Sequence, residues 1–198
     1  MTGLDVPRET LAALESYAAL LTRWNQRINL VAPSTIPSLW TRHVLDSLQI
    51  WRMIAPDTRH IADLGSGGGL PGIVLAICAK GQGAQVTLVE SDARKCAFLS
   101  TAIHSLDLPA TVKTARIERL QPLGAQVVTA RALASLTDLL AFQQRHGAPG
   151  GIGIYPKGAR ADAEVETALE DWQFTCQKVP SATSAESHIL KIGDLARA

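Results

Sequence analysis

Between Pro7 and Asn29 the apolar residues Leu11, Leu14, Ala18, Leu21, Trp24 and Ile28 return every three or four positions. That spacing puts them on one face of an amphipathic helix. A second helix is expected from about Ile36 to Ile54, and the intervening Asn29-Leu30-Val31-Ala32-Pro33-Ser34 carries loop and breaker signals. From His60 onward the pattern changes to short apolar, β-rich runs. Strands are expected at Ile61 to Leu64, Gln85 to Glu90, Ala110 to Ala115, Val127 to Ala130, Ile152 to Tyr155, Phe174 to Val179 and Ser187 to Ile192. Helical stretches fall between them, from about Pro71 to Lys80, Asp92 to Leu106, Leu136 to His146 and Ala161 to Trp172. Strands alternating with helices at this spacing imply βαβ units and a mainly parallel sheet covered on both faces. The last two strands have no helix between them and are expected to form an antiparallel hairpin at the sheet edge. The expectation is therefore an α/β domain over residues 59–198 behind a helical extension over residues 1–58.

Composition narrows the class without fixing it. The chain has 198 residues, 46% hydrophobic and 19% charged, enough for one domain with its own core and unlike a disordered tail. The longest apolar stretch, Leu70 to Ala79, contains Pro71 and Gly72 and is too short to span a bilayer. Met1-Thr2-Gly3-Leu4-Asp5 has no basic region followed by an apolar run, which points to a cytoplasmic location. Cys78, Cys96 and Cys176 form no CxxC pair and have no histidine at ligand spacing, so no metal is expected and all three are read as small buried hydrophobes. Net charge is +1, which does not by itself announce a nucleic-acid binder.

The chemistry concentrates in Ile61-Ala62-Asp63-Leu64-Gly65-Ser66-Gly67-Gly68-Gly69-Leu70-Pro71-Gly72. An apolar strand ends in an acid, a glycine-rich turn follows, and Pro71 stands where a helix should begin. Glycines let the backbone turn sharply and approach a ligand closely. Gly67, Gly69 and Gly72 satisfy GxGxxG, so a dinucleotide has to be weighed. Asp63 lies two residues before Gly65, a place where a dinucleotide would set its pyrophosphate and a carboxylate is unwelcome. Glu90 ends the next strand, where a carboxylate can accept from both hydroxyls of a ribose, although NAD enzymes place an acid there too.

Asp-x-Gly-x-Gly-x-Gly resembles the first motif of Rossmann-like methyltransferases. The whole chain resembles the RsmG family, also called GidB, in Trp24-Asn25 with Ile28-Asn29-Leu30, Arg42-His43 with Asp46-Ser47-Leu48, and Asp63 to Gly72. The resemblance continues through Leu88-Val89-Glu90-Ser91 with Lys95 and Phe98-Leu99, Arg116-Ile117-Glu118, Thr129-Ala130-Arg131-Ala132 and Lys157-Gly158. It implies a Rossmann-like class I methyltransferase with a seven-stranded sheet. The implied reaction moves a methyl group from S-adenosyl-L-methionine to N7 of a guanine in the decoding-region loop of 16S ribosomal RNA, free or in the small ribosomal subunit. The resemblance assigns cofactor binding to Gly65, Leu70, Ile117, Glu118 and Arg131, with Arg131 also at the reacting centre, and these join Asp63, Gly67 and Glu90, expected to bind the cofactor from the glycine-rich turn and the end of the second strand. It assigns RNA contact to Arg42, His43, Lys95, Arg116 and Lys157. Arg94-Lys95 departs from the two lysines often found there, keeping charge but changing the geometry offered to a phosphate.

Blander roles exist for several of these residues. Arg42 and His43 either cap the second helix or stand at the mouth of the site; Arg116 and Lys157 are either solvated charges or phosphate contacts. Trp24, Trp40 and Trp51 are expected to pack between helices, and Asp46 to anchor the extension by hydrogen bonds. Competing functions are a methyltransferase for a protein or small molecule, an NAD-dependent oxidoreductase, and a non-enzymatic binding module. Guanine N7 has an available lone pair, so the implied reaction needs no general base and rests on positioning.

Overall fold

The computed structural model describes residues 6–198; the leader reading of residues 1–5 lies outside them. Among the described residues, β1 (His60–Leu64), β2 (Gln85–Glu90), β3 (Ala110–Thr114), β4 (Ala125–Thr129), β5 (Gly147–Lys157), β6 (Trp172–Pro180) and β7 (His188–Arg197) form one sheet. Its order is β3-β2-β1-β4-β5-β7-β6. The first five strands pair in parallel, and β7 runs antiparallel to both β5 and β6. The expected Rossmann-like sheet with its antiparallel edge hairpin is what the chain forms.

Two-residue periodicity explains why the central strands read as unbroken apolar runs. Ile61, Val86, Leu88 and Val127 face one buried layer, whereas their neighbours Ala62, Val89 and Val128 face the other. A parallel sheet covered on both sides needs apolar residues at consecutive positions. The first layer is supplied by α1 (Arg8–Asn25), α2 (Asp46–Trp51), α3 (Gly72–Ala79) and α4 (Ala93–Leu106), and the second by α5 (Leu136–His146) and α6 (Ala161–Ala168). Every residue of α3 is buried, because α1 and α2 cover the side that faces away from the sheet. The amino-terminal helices thus share the main core. Trp24, Trp40 and Trp51 pack against it, and Trp24 meets Phe98 edge-on at 5.7 Å.

Several elements differ from the sequence reading. Helix α1 stops at Asn25, four residues before Asn29, because Asn25 Oδ1 accepts from Leu30 and Val31 backbone N–H groups at 2.9 and 3.0 Å and folds the chain back. The second helix is three windings in series: a 3₁₀ turn over Pro33–Ser38, a π-helical turn over Trp40–Leu45, and α2. Pro37, within the first of these, cannot donate a backbone hydrogen bond. β5 begins at Gly147, well before Ile152: the glycine- and proline-rich start looked like a loop, yet Gly147 pairs with Ala125 ahead of a register shift. Cys78 and Cys96 are buried as expected, but Cys176 is exposed, since β6 is an edge strand with an uncovered face.

Candidate cofactor and substrate cleft

Strand order reverses between β1 and β4, which carry the chain in opposite directions across the sheet; ligands of open α/β sheets bind outside the carboxyl ends of strands at such a point. Here the turn after β1, the end of β2 and the segment after β4 meet around two adjoining cavities. One, of about 700 Å³, is lined by Leu30, Thr35, Arg42, His43, Leu70, Arg131 and Lys157 among others. The other, of about 540 Å³, is lined by Val89, Glu90, Arg116, Ile117, Glu118, Leu133 and Phe142. Gly65, Gly67, Lys95, Ala132 and Ala134 border both.

The glycine turn is held from below and behind. Gly65, Gly67 and Gly69 all have positive φ, and a Cβ placed on Gly67 would meet nothing nearer than Gly65 O at 3.8 Å. That position faces open cleft. Asp63 is buried, 1% exposed, and does not reach the cleft wall. Its Oδ1 accepts from Thr129 Oγ1 at 2.9 Å and its Oδ2 from the Gly72 backbone N–H at 3.2 Å, the first amide of α3. The carboxylate therefore fills the helix start from inside the protein; burial pushes its pKa up to about 6 against the pull of those hydrogen bonds and of the Arg131 charge. It holds the turn from within. From behind, Tyr17 on α1 donates to Gly68 O at 2.5 Å, and the Leu30 carbonyl oxygen lies 3.1 Å from where a Gly68 Cβ would stand.

Glu90 stands at the far end of the turn. Its Oε2 accepts from Gly67 N–H at 2.9 Å, and its Oε1 from Ser91 and Asp92 N–H at 2.7 and 2.8 Å. A carboxylate has about four lone-pair sites, so these bonds leave capacity for a ligand's hydroxyls. Val89, Ile117, Leu133 and Phe142 give the same cavity an apolar lining, while Arg116 and Glu118 are exposed at its rim.

Arg131 lies at the floor of the larger cavity, with its side chain 18% exposed. Its Nη1 donates to His43 Nδ1 at 2.9 Å and to Arg42 O at 3.4 Å, and Asp46 Oδ2 lies 4.0 Å away. Among the described residues its Nε and Nη2 make no hydrogen bond, so donors remain for a ligand. Burial lowers its pKa, but a guanidinium keeps its charge. His43 sits in the π-helical turn. Burial and the charges of Arg131 and Arg42 press its pKa down to about 4, so it is neutral near pH 7. Because Arg131 can only donate, His43 Nδ1 is the acceptor, and Nε2 carries the proton toward Thr35 Oγ1 at 2.8 Å. The next residue, Ala132, has φ of +52°, a strained conformation for a residue with a Cβ.

The fold brings most of the sequence-chosen residues to this one cleft, and it gives some of them contacts that the sequence did not show. Lys157 borders the cleft, but its ammonium is 2.7 Å from Glu164 Oε2 and donates to Ala134 O at 3.0 Å, with the side chain 9% exposed. It clamps the segment after β4 to α6 and does not stand out as a bare charge. Asp46 is the expected anchor: its Oδ1 accepts from Ser181 and Thr183 hydroxyls in the β6–β7 connection at 3.3 and 3.0 Å. Tyr17, Thr35 and Leu133 went unread, and Thr129 was noted only as part of a motif, with no contact assigned to it. Tyr17 and Thr129 lie on apolar faces of a helix and a strand, and only the fold brings them to the turn.

A family model described as rRNA small subunit methyltransferase G matches residues 10–191. The ribosomal RNA small subunit methyltransferase G of Paramagnetospirillum magneticum is 46% identical over 197 residues, spanning 100% of this chain and 95% of that protein. The protein of the same name from Acidiphilium cryptum is 49% identical over 195 residues, spanning 98% and 89%. Among solved structures, a SAM-dependent methyltransferase from Aquifex aeolicus superposes with a TM-score of 0.63 at 11% identity, over 90% of this chain and 97% of that one. The tRNA (uracil-54, C5)-methyltransferase of Pyrococcus abyssi, solved with S-adenosyl-L-homocysteine, gives 0.53 at 15% identity over 76% and 37%. At these identities the structural likenesses establish the fold.

Proposed function

This chain belongs to the rRNA small subunit methyltransferase G family, and from that premise we propose that its cleft takes S-adenosyl-L-methionine and methylates N7 of a guanine in the decoding-region loop of 16S ribosomal RNA. It does so in the cytoplasm, on the RNA or on the small subunit that contains it. The observation that carries the cofactor assignment is Asp63. By filling the first amide of α3 from within, it occupies the electrostatic position that a dinucleotide's pyrophosphate would need, while the turn above it stays open at Gly67.

The residues present fit the methyl donor. Glu90 suits the ribose hydroxyls, the slot of Val89, Ile117, Leu133 and Phe142 suits a flat aromatic base, and the positive-φ turn lets backbone approach the amino-acid end closely. When bound, the donor would supply an electrophilic methyl carbon on a sulfonium whose thioether can leave with the C–S bonding pair, and guanine N7 has a lone pair free to accept that methyl without loss of a proton. The protein's task is then to align and to exclude water. Arg131, with Nε and Nη2 donors to offer beside the turn, is placed to hold the O6 acceptor next to N7 on the base edge. His43, Arg42 O and Asp46 fix that guanidinium before any base arrives. Arg42, Lys95 and Arg116 at the rim offer charge to phosphates, and no side chain has to remove a proton.

Mapping N7-methylguanine in 16S ribosomal RNA from cells with and without the gene tests this reading. Loss of a single decoding-region modification in the deletion strain, restored by the wild-type gene and not by an Arg131→Ala copy, is expected. An unchanged modification map refutes it.

A further inference from the structure

Beside the cleft, the last turn of α1, the turn that follows it and the start of α4 enclose a separate groove of about 390 Å³, lined by Arg23, Trp24, Arg27, Ile28, Arg94 and Ala97. Three guanidinium side chains and one indole share it, and no carboxylate does. Arg23 is exposed in the last turn of α1 and Arg27 is exposed in the turn that follows it. Among the described residues neither forms an ion pair, and Arg94, whose side chain is 76% exposed, meets only Asp92 at 3.4 Å. In a chain of net charge +1 this is a local concentration of cations that the fold does not use.

Chain neighbours line the groove and the cleft. Arg94 lines the groove and the next residue, Lys95, lines the cleft; Ile28 lines the groove and Leu30 the cleft, with the turn between them held by Asn25. Trp24 is half-buried, braced edge-on by Phe98, and so offers a rigid apolar floor between the arginines.

We propose that this groove is a second docking site for the ribosomal RNA substrate, seating a stretch of phosphate backbone that flanks the target nucleotide while the base enters the cleft. The inference rests on the RNA reading of the cleft. Phosphates match three forked guanidinium groups, and an unpaired base or ribose matches the flat face of Trp24. A docking site outside the cleft lets affinity for RNA be set independently of the reacting geometry.

The test uses the full chain and small ribosomal subunits from cells lacking the gene. Exposed Arg23, Arg27 and Arg94 are changed together to Gln, and in a second variant to Lys. The Gln variant is expected to raise KM for subunits at least tenfold and to flatten the salt dependence of binding by about two in log–log slope, given roughly 0.7–0.9 per lost phosphate contact. Its kcat, its S-adenosylmethionine affinity and its melting temperature are expected to match wild type, and the Lys variant to stay within about threefold of wild type in KM. Unchanged KM and salt slope in the Gln variant would overturn the docking site while leaving the function of the cleft standing, as would an equal loss of cofactor affinity. A Lys variant as impaired as the Gln variant would overturn it too. A wild-type protein that binds the cofactor but methylates no ribosomal RNA would overturn the reading of the cleft and this site with it.

Discussion

Arg131 at the end of β4 and His43 in the π-helical turn meet through a 2.9 Å hydrogen bond in which the guanidinium donates to Nδ1. The contact ties the cleft floor to the amino-terminal helices and depends on a neutral imidazole. Protonation would set two donors against each other.

This contact gives the first prediction. His43 should titrate near 4, and at pH 7 nitrogen-15 shifts should report the Nε2–H tautomer. A titration near the ordinary 6.5, or the opposite tautomer, contradicts the assignment.

A stability prediction follows from two opposed titrations. His43 has a depressed pKa, so its contribution is present above 6.5 and is lost as pH falls toward 4. Asp63 has a raised pKa, so its contribution is present below 3.8 and is lost as pH rises through about 6. In the wild type the two slopes oppose each other across the same window. His43→Gln leaves only the Asp63 slope, so relative to wild type the variant should gain stability between pH 6.5 and 4.5. The gain should be smaller than the ~1.4 kcal/mol per pH unit of one full proton, because His43 is only half-buried. Urea midpoints at three pH values measure it, and parallel profiles for the two proteins count against it.

Tyr17→Phe should destabilise the protein by about 1–3 kcal/mol, since it leaves the buried Gly68 carbonyl without its donor. It should also weaken cofactor binding, because the turn is held from behind by that bond. Calorimetry and thermal melting check both. A variant that melts like wild type would show that the turn holds itself.

The turn from Asp63 to Gly72 and the alternation of strands and helices were legible because local patterns encode them: glycines where φ is positive, apolar pairs where a sheet is covered twice. Asp63 was read as a cofactor contact, whereas its carboxylate turns back under the glycine turn. An acid at a strand end is compatible with pointing into the cleft or back under the turn, and only Thr129 and Gly72 N–H decide between them. The Tyr17–Gly68 and His43–Arg131 contacts span 51 and 88 positions and leave no periodic trace. Lys157 was read as a solvated charge or a phosphate contact because its partner, Glu164, belongs to a helix whose packing cannot be read from spacing.

Two glycines separate binding from folding. Gly67→Ala should cost only about 1–2 kcal/mol, from its positive φ, yet reduce S-adenosylmethionine affinity more than tenfold by placing a methyl in open cleft. Gly72→Ala should instead strike at the fold, because its Cβ would collide with Asp63 and Leu88. Melting curves and calorimetry on both variants check the contrast, which fails if Gly72→Ala proves the more stable of the two.

The central claim is most directly tested by incubating the protein with radiolabelled S-adenosyl-L-methionine and small ribosomal subunits from a deletion strain, then identifying the labelled product. The account predicts one N7-methylguanine in the decoding-region loop of 16S ribosomal RNA, formed by the wild type and strongly reduced by Arg131→Ala and Gly67→Ala. Label in protein, in a small molecule, or at another position of the RNA would contradict it.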